Sequence, residues 1–159
     1  MYKKILFTTE KDKLMTLACH DGKIKIIKSL NHKSILLMRF FYDDRLDWAA
    51  RNGHLEVVMY LHQNGMDVIN NTTPICWAAA AGHLDVVKYL HQSGADIKAR
   101  KNYALCYAAK YGFLLMVKYL CENGADITAD DNLPIRWASL NGHRGIVQYL
   151  QQRAVLLTH

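Results

Sequence analysis

Proline is nearly absent from this chain, with two in 159 residues, Pro74 and Pro134. Long apolar runs are missing as well, since no window approaches the roughly 18 apolar residues of a membrane span. The opening Tyr2-Lys-Lys-Ile-Leu-Phe7 has no apolar core of a signal peptide, so a soluble, intracellular chain is expected. Four cysteines, Cys19, Cys76, Cys106 and Cys121, form no CxxC pair and show no ligand-like spacing. That leaves free thiols in a reducing compartment and argues against a disulfide framework or a zinc knuckle. Neither a G-x-S-x-G elbow nor a glycine-rich phosphate loop occurs, which removes the chemistries that depend on them. Acidic residues are outnumbered, 14 Asp and Glu against 20 Lys and Arg, for a formal net charge of +6. The excess sits mainly in residues 1–44, which carry nine basic and five acidic residues.

Glycine is also scarce, nine in all, but it is placed at fixed intervals. Gly53, Gly82, Gly112 and Gly142 follow one another at steps of 29, 30 and 30, and Gly65, Gly94 and Gly124 at steps of 29 and 30. Ala154 stands where the next glycine of the second set would fall. A fixed period of this size means supersecondary units stacked side by side, with a core buried between neighbours.

Within one unit, Ile75, Ala78, Ala79 and Gly82 fall at i, i+3, i+4 and i+7, one small apolar face of a short helix. Thr73-Pro74 is its start signal, with a threonine oxygen to cap free amides and proline in the first turn. Gly82 ends it. A second helix follows, with Leu84, Val87, Tyr89 and Leu90 on its apolar side, and Gly94 closes it in the left-handed conformation. The spacing therefore predicts an all-α solenoid of antiparallel helix pairs.

The stretch Thr73-Pro-Ile-Cys-Trp-Ala-Ala-Ala-Ala-Gly-His-Leu-Asp-Val-Val-Lys-Tyr-Leu-His-Gln-Ser-Gly-Ala-Asp-Ile97 resembles the ankyrin repeat, whose signature opens T-P-L-H-x-A and whose usual period is about 33 residues. The resemblance divides the chain into a segment 1–12 and an array 13–159, with repeats at roughly 13–42, 43–72, 73–102, 103–132 and 133–159. The short period and the V-V-K-Y-L wording are similar to the ankyrin arrays of giant DNA viruses of amoebae. Two departures stand out. About three residues are missing from each connector, so the projecting β-hairpin fingers of the family are expected to be stunted. The histidine of T-P-L-H is replaced by Asp47, Cys76, Cys106 and Arg136, which removes the family's usual bracing between repeats. The first repeat, with Lys23 and Lys25 in place of the usual His and acid, resembles a capping unit. At the other end Arg144 and Gly145 bring polarity to the second helix of the fifth.

His54, His83 and His143 recur at one position per repeat, so they form a column about 10 Å apart and cannot converge on a metal. Local backbone bonding at the helix start is expected of them. Cys76 and Cys106 are equivalent positions one repeat apart, too far for a disulfide. No cofactor, metal or catalytic group is therefore expected. Tyr60, Tyr89, Tyr119 and Tyr149 read as packing residues with exposed hydroxyl tips. Trp48, Trp77, Tyr107 and Trp137 point away from the small face, and wedging between repeats is favoured over an exposed ladder. Ile35-Leu-Leu-Met-Arg-Phe-Phe-Tyr42 is read as covered by Tyr2–Phe7, the alternative being an exposed patch for a partner.

The resemblance implies a non-enzymatic module that binds another protein through finger tips and the first-helix ends that line a concave face. The matching positions vary from unit to unit while glycines and leucines keep step. The candidate partner-binding set is Arg51, Asn52, Trp77, Arg100, Lys101, Lys110, Tyr111, Trp137 and Asn141. Tip residues Asn70 and Asn71, then Lys98, Arg100 and Lys101, then Asp130 and Asp131, change charge along the array and imply a partner of mixed charge. A second expectation, nucleic-acid or acidic-surface binding, rests on Lys3, Lys4, Lys11, Lys13, Lys23, Lys25, Lys28 and Lys33 without any reader motif beside them.

Overall fold

The computed structural model describes residues 10–30 and 44–156, together with the backbone alone of Leu157. The apolar run 35–42 and the segment 2–7 expected to cover it lie outside the described residues. Ten helices are described: α1 (Glu10–His20), α2 (Ile24–Ser29), α3 (Arg45–Arg51), α4 (Leu55–Gln63), α5 (Thr73–Ala81), α6 (Leu84–Gln92), α7 (Ala99–Lys110), α8 (Leu114–Glu122), α9 (Ala129–Leu140) and α10 (Arg144–Leu157). No strand occurs among the described residues. The odd helices pack on one another in series, α1 to α3 to α5 to α7 to α9, and each even helix folds back on its own partner. The fold is an all-α solenoid.

Small side chains make this stacking possible. Ala49, Ala50, Ala78, Ala79, Ala108, Ala109 and Ala138 are fully buried between odd helices, and a methyl group allows close axial approach. The even helices add Val57, Val58 and Leu61, then Val86, Val87 and Leu90, then Met116, Val117 and Leu120, then Ile146 and Leu150. The core is thus one continuous seam with a repeating composition.

The glycines between paired helices have a packing reason as well as a conformational one. Gly112 has φ 86°, and a Cβ built there would lie 2.6 Å from His143 Cε1, because that ring of the following repeat covers the glycine. His54 covers Gly22, His83 covers Gly53 and Phe113 covers Gly82 in the same way. At Gly142 nothing lies within 4 Å of the Cβ position. The histidines therefore do more than the local bonding expected of them. His54 Nε2 donates to the His20 carbonyl at 2.8 Å and His143 Nε2 to the Lys110 carbonyl at 2.9 Å, each in the preceding repeat. Bracing between repeats, expected to be missing without the T-P-L-H histidine, is supplied from this other position.

Thr73 corrects a second expectation. It is the first residue of α5 and makes no capping bond; its hydroxyl accepts from Arg100 Nη2 at 2.9 Å. Gly82 ends α5 at φ 83°, as expected, and Gly65, Gly94 and Gly124 have φ of 94°, 98° and 92°.

The connectors explain how the short period closes. In place of a hairpin finger, Arg100, Lys101 and Asn102 take φ of 52°, 59° and 60°, and Asp130, Asp131 and Asn132 take 50°, 59° and 59°. Each run makes one left-handed turn, after which the right-handed helix begins at Tyr103 or Leu133. Left-handed backbone costs roughly 1–2 kcal/mol per non-glycine residue, so the surroundings must hold it. Asn102 is buried and its Oδ1 accepts from the Asp126 amide at 2.9 Å. The aspartate of Gly-Ala-Asp primes the turn, with Asp96 Oδ1 accepting from the Lys98 amide and Asp126 Oδ1 from that of Thr128, both at 2.8 Å.

Candidate protein-interaction surface

The odd helices present one column of aromatic rings and, three or four residues later, a column of variable residues. Helical spacing at i, i+3 and i+4 puts these on the same face. Arg51 is exposed and its guanidinium lies 5.6 Å from the Trp48 ring centre and 4.8 Å from that of Trp77 in the next repeat. Lys110 Nζ lies 5.3 Å from the Tyr111 ring centre and 5.2 Å from that of Trp137. Tyr107 stacks on Tyr111 at 6.3 Å, meets Tyr103 edge-on at 5.7 Å and tilts against Trp137 at 5.7 Å. His20 stands over Trp48 at 5.3 Å, so the residue at this position of one repeat covers the ring of the next. The exception is Ala80, which leaves Tyr107 to its tyrosine neighbours.

This arrangement lies between the two readings of the aromatic column, since each tryptophan packs against a side chain of the preceding repeat and still keeps part of its surface open. Trp48, Tyr107 and Trp137 are half-buried and Trp77 is 37% exposed; His20 lies against Trp48, Arg51 against Trp77 and Lys110 against Trp137, and Tyr107 meets Tyr103, Tyr111 and Trp137. Asp44 Oδ2 accepts from the Trp48 indole at 3.1 Å and fixes that ring.

Of the sequence-chosen set, Lys110, Tyr111 and Trp137 come together as one cluster and Arg51 with Trp77 as another. Asn52 and Asn141 are spent on backbone: Asn52 Nδ2 donates to the His20 carbonyl at 2.9 Å and Asn141 Nδ2 to the Trp137 carbonyl at 2.8 Å. Arg100 is tied to Thr72 and Thr73, and Lys101 pairs with Asp130 at 3.3 Å. The change of charge along the tips is thus partly cancelled from one tip to the next. Trp48, Tyr103 and Tyr107 were not in the chosen set, although their i, i+3 and i+4 spacing to Arg51, Lys110 and Tyr111 was there to be read.

The opposite side shows a second periodic contact. The hydroxyls of Tyr89 and Tyr119 hydrogen-bond His62 Nδ1 at 2.8 Å and His91 Nδ1 at 2.9 Å, each in the preceding repeat. These hydroxyls were expected to be exposed tips; they join repeats instead. At the next step Cys121 replaces the histidine, and the buried Tyr149 hydroxyl makes no well-formed hydrogen bond, with only the Arg153 guanidinium beside it. Lys88 and Lys118 lie over the Tyr119 and Tyr149 rings at 5.6 and 5.7 Å.

Among the described residues no group of three or more His, Cys, Asp or Glu could hold a metal. Burial pushes the thiols of Cys76 and Cys121 up to about 11 and that of Cys106 to about 12, far from thiolate chemistry at neutral pH. Of the amino-terminal lysines, Lys13 pairs with Glu10, Lys23 with Asp21 and Lys28 with Glu56, which lowers the positive field the nucleic-acid expectation needs. Lys3, Lys4 and Lys33 lie outside the described residues. No described helix is long and apolar enough to cross a membrane.

Helix pairs that stack by their neighbours alone, with variable side chains on one face, define a helical-repeat scaffold. A family model described as ankyrin repeats, in three copies, matches residues 14–101 and 98–157, and the chain belongs to that family. Ankyrin repeats are generally protein–protein interaction modules and typically not enzymes. No curated protein matches the chain significantly.

Proposed function

We propose that this chain is a non-enzymatic scaffold of five short repeats that binds another protein through the exposed face of its odd helices, with Lys110, Tyr111, Trp77, Trp137 and Arg51 as the contact residues. The observation that carries this reading is the Tyr103–Tyr107–Tyr111–Trp137 cluster with Lys110 over it. Rigid, half-exposed aromatic groups beside a cation have the composition of interface hot spots. The left-handed turns support the same placement, because short, mutually paired tips leave the helix face to supply most of the contact area. The short period and the V-V-K-Y-L wording support a source among the giant DNA viruses of amoebae, in which case the chain acts in the host cytoplasm.

The test is a comparison of two double variants against the partner recovered by crosslinking from the native cell. Lys110→Ala with Tyr111→Ala weakens binding by about 2 kcal/mol or more. Asp130→Ala with Asp131→Ala costs much less and acts chiefly on the association rate, as rim charges do. Both must first unfold like the parent. The reverse ranking would move the contact surface to the tips.

A further inference from the structure

The rings of this face leave two cations with nothing to neutralise them. Elsewhere among the described residues Lys13, Lys23, Lys28, Arg45, Lys101 and Arg136 each have a carboxylate within 4.0 Å. The side chains of Arg51 and Lys110, like those of Lys88 and Lys118 over the even-helix tyrosines, have neither an ion pair nor a hydrogen bond, and on the odd-helix face these two are held over aromatic rings. With its Cζ 5.6 Å from the Trp48 ring centre and 4.8 Å from that of Trp77, and no hydrogen bond to its N–H groups, Arg51 has its guanidinium donors available to a guest carboxylate, which a guanidinium can receive through two parallel bonds. Stacking has already removed much of the side-chain freedom that binding would cost.

We propose that this face takes an extended, acidic peptide segment of the partner, one carboxylate meeting Arg51 and a second meeting Lys110. The inference rests on the protein-binding reading above and specifies the partner's chemistry. Arg51 and Lys110 occupy equivalent positions two repeats apart, so at 8–10 Å per packed helix the two sites are about 20 Å apart. An extended chain advances 3.3–3.6 Å per residue and covers that distance in about six residues. Six is an even number, so both acidic side chains of a strand point to the same side. A helix needs about 13 to 14 residues for the same span, more than twice the length, so an extended segment is the shorter guest that reaches both cations. Between the two cations the equivalent positions are Ala80 and Ala81, whose small side chains let a guest backbone pass close to α5. A single-stranded nucleic acid fits less well. Its bases need open ring faces and its phosphates a track of cations, whereas here the rings are covered by this chain's own side chains and two cations are free.

The probe is a fluorescein-labelled peptide of about 12 residues with two glutamates six positions apart in a Ser/Ala background, titrated with the full chain by anisotropy. Matched peptides carry the glutamates two apart, or lysines in their place, and an oligothymidylate serves as the nucleic-acid arm. The six-spaced peptide is expected to bind at least about tenfold tighter than the others. Arg51→Glu and Lys110→Glu each lose about tenfold or more, while Lys110→Arg retains binding and Arg51→Lys, lacking the fork, does not. Thermal unfolding of each variant checks that the fold is intact. Equal binding at both spacings, tighter binding of the oligothymidylate with a steep salt slope, or no acidic peptide bound at about 1 mM would each overturn the proposal. In that last case the protein-binding reading is judged separately, by whether the Lys110/Tyr111 double variant still crosslinks to its partner.

Discussion

Replacing Gly112 and Gly142 by alanine, one at a time, separates two contributions that glycine makes in this solenoid. Both residues have positive φ, 86° and 76°, so both alanines incur left-handed strain of about 1 kcal/mol. Only at Gly112 does the new Cβ meet a neighbour, at 2.6 Å from His143 Cε1 and 2.8 Å from Nδ1. The ring must move, which costs about 1 kcal/mol of packing and strain and breaks the Nε2 bond to the Lys110 carbonyl, worth about 1 kcal/mol more. Gly112→Ala is therefore expected to destabilise by about 3 kcal/mol and Gly142→Ala by about 1 kcal/mol. Urea unfolding followed by circular dichroism measures both. His143→Ala supplies the cycle: with the ring gone, Gly112→Ala should cost little more than Gly142→Ala, a coupling of about 1–2 kcal/mol between adjacent groups. Equal losses at the two glycines, or additivity in the cycle, would mean that the ring does not cover Gly112 in solution. The same variant reports on the proposed binding face, because the carbonyl that His143 holds belongs to Lys110.

Other consequences are checked more briefly. Tyr119→Phe removes the hydroxyl that bonds His91 and should cost about 1 kcal/mol, whereas Tyr149→Phe removes a buried hydroxyl with no well-formed hydrogen bond and should be neutral or stabilising; thermal midpoints of the two decide it. The thiols of Cys76, Cys106 and Cys121 titrate near 9.0 when exposed and at about 11 to 12 when folded, so the folded chain holds more protons between these limits. Their contribution is fully present below pH 9 and is lost as pH rises toward 11–12, and a denaturation series that shows no such decline would contradict their burial. Amides of residues 144–157 should exchange faster than those of 73–122, since Arg144 and Gly145 are exposed and Gly145 weakens its helix by about 1 kcal/mol; equal protection would show that α10 is held as firmly as the middle of the array.

The sequence by itself determined the period, the helix pairs and the closing glycines, because these follow from local chemistry repeated at fixed spacing. Gly82 ends α5 and Gly94 closes α6 for reasons visible within ten residues of each. It also singled out one face, since variation at Arg51, Ala80, Lys110 and Leu140 beside recurring glycines can be read without any coordinates. Tertiary structure decided the rest. Whether a histidine after a glycine bonds its own helix or the previous repeat depends on how two helix pairs stack, and His54 and His143 reach across. The connectors were expected to be short, but three successive left-handed residues at Arg100–Asn102 and Asp130–Asn132 could not be read from the sequence, because Asn and Asp visit that conformation as single residues and a run of three is held only by its surroundings. The aromatic column shows the limit most clearly. Helical spacing fixed the direction in which Trp48, Trp77, Tyr107 and Trp137 point, but not what lies over them. That depends on the neighbouring repeat, which brings Arg51 onto Trp77 and Lys110 onto Trp137 and leaves the rings half-buried beside a cation.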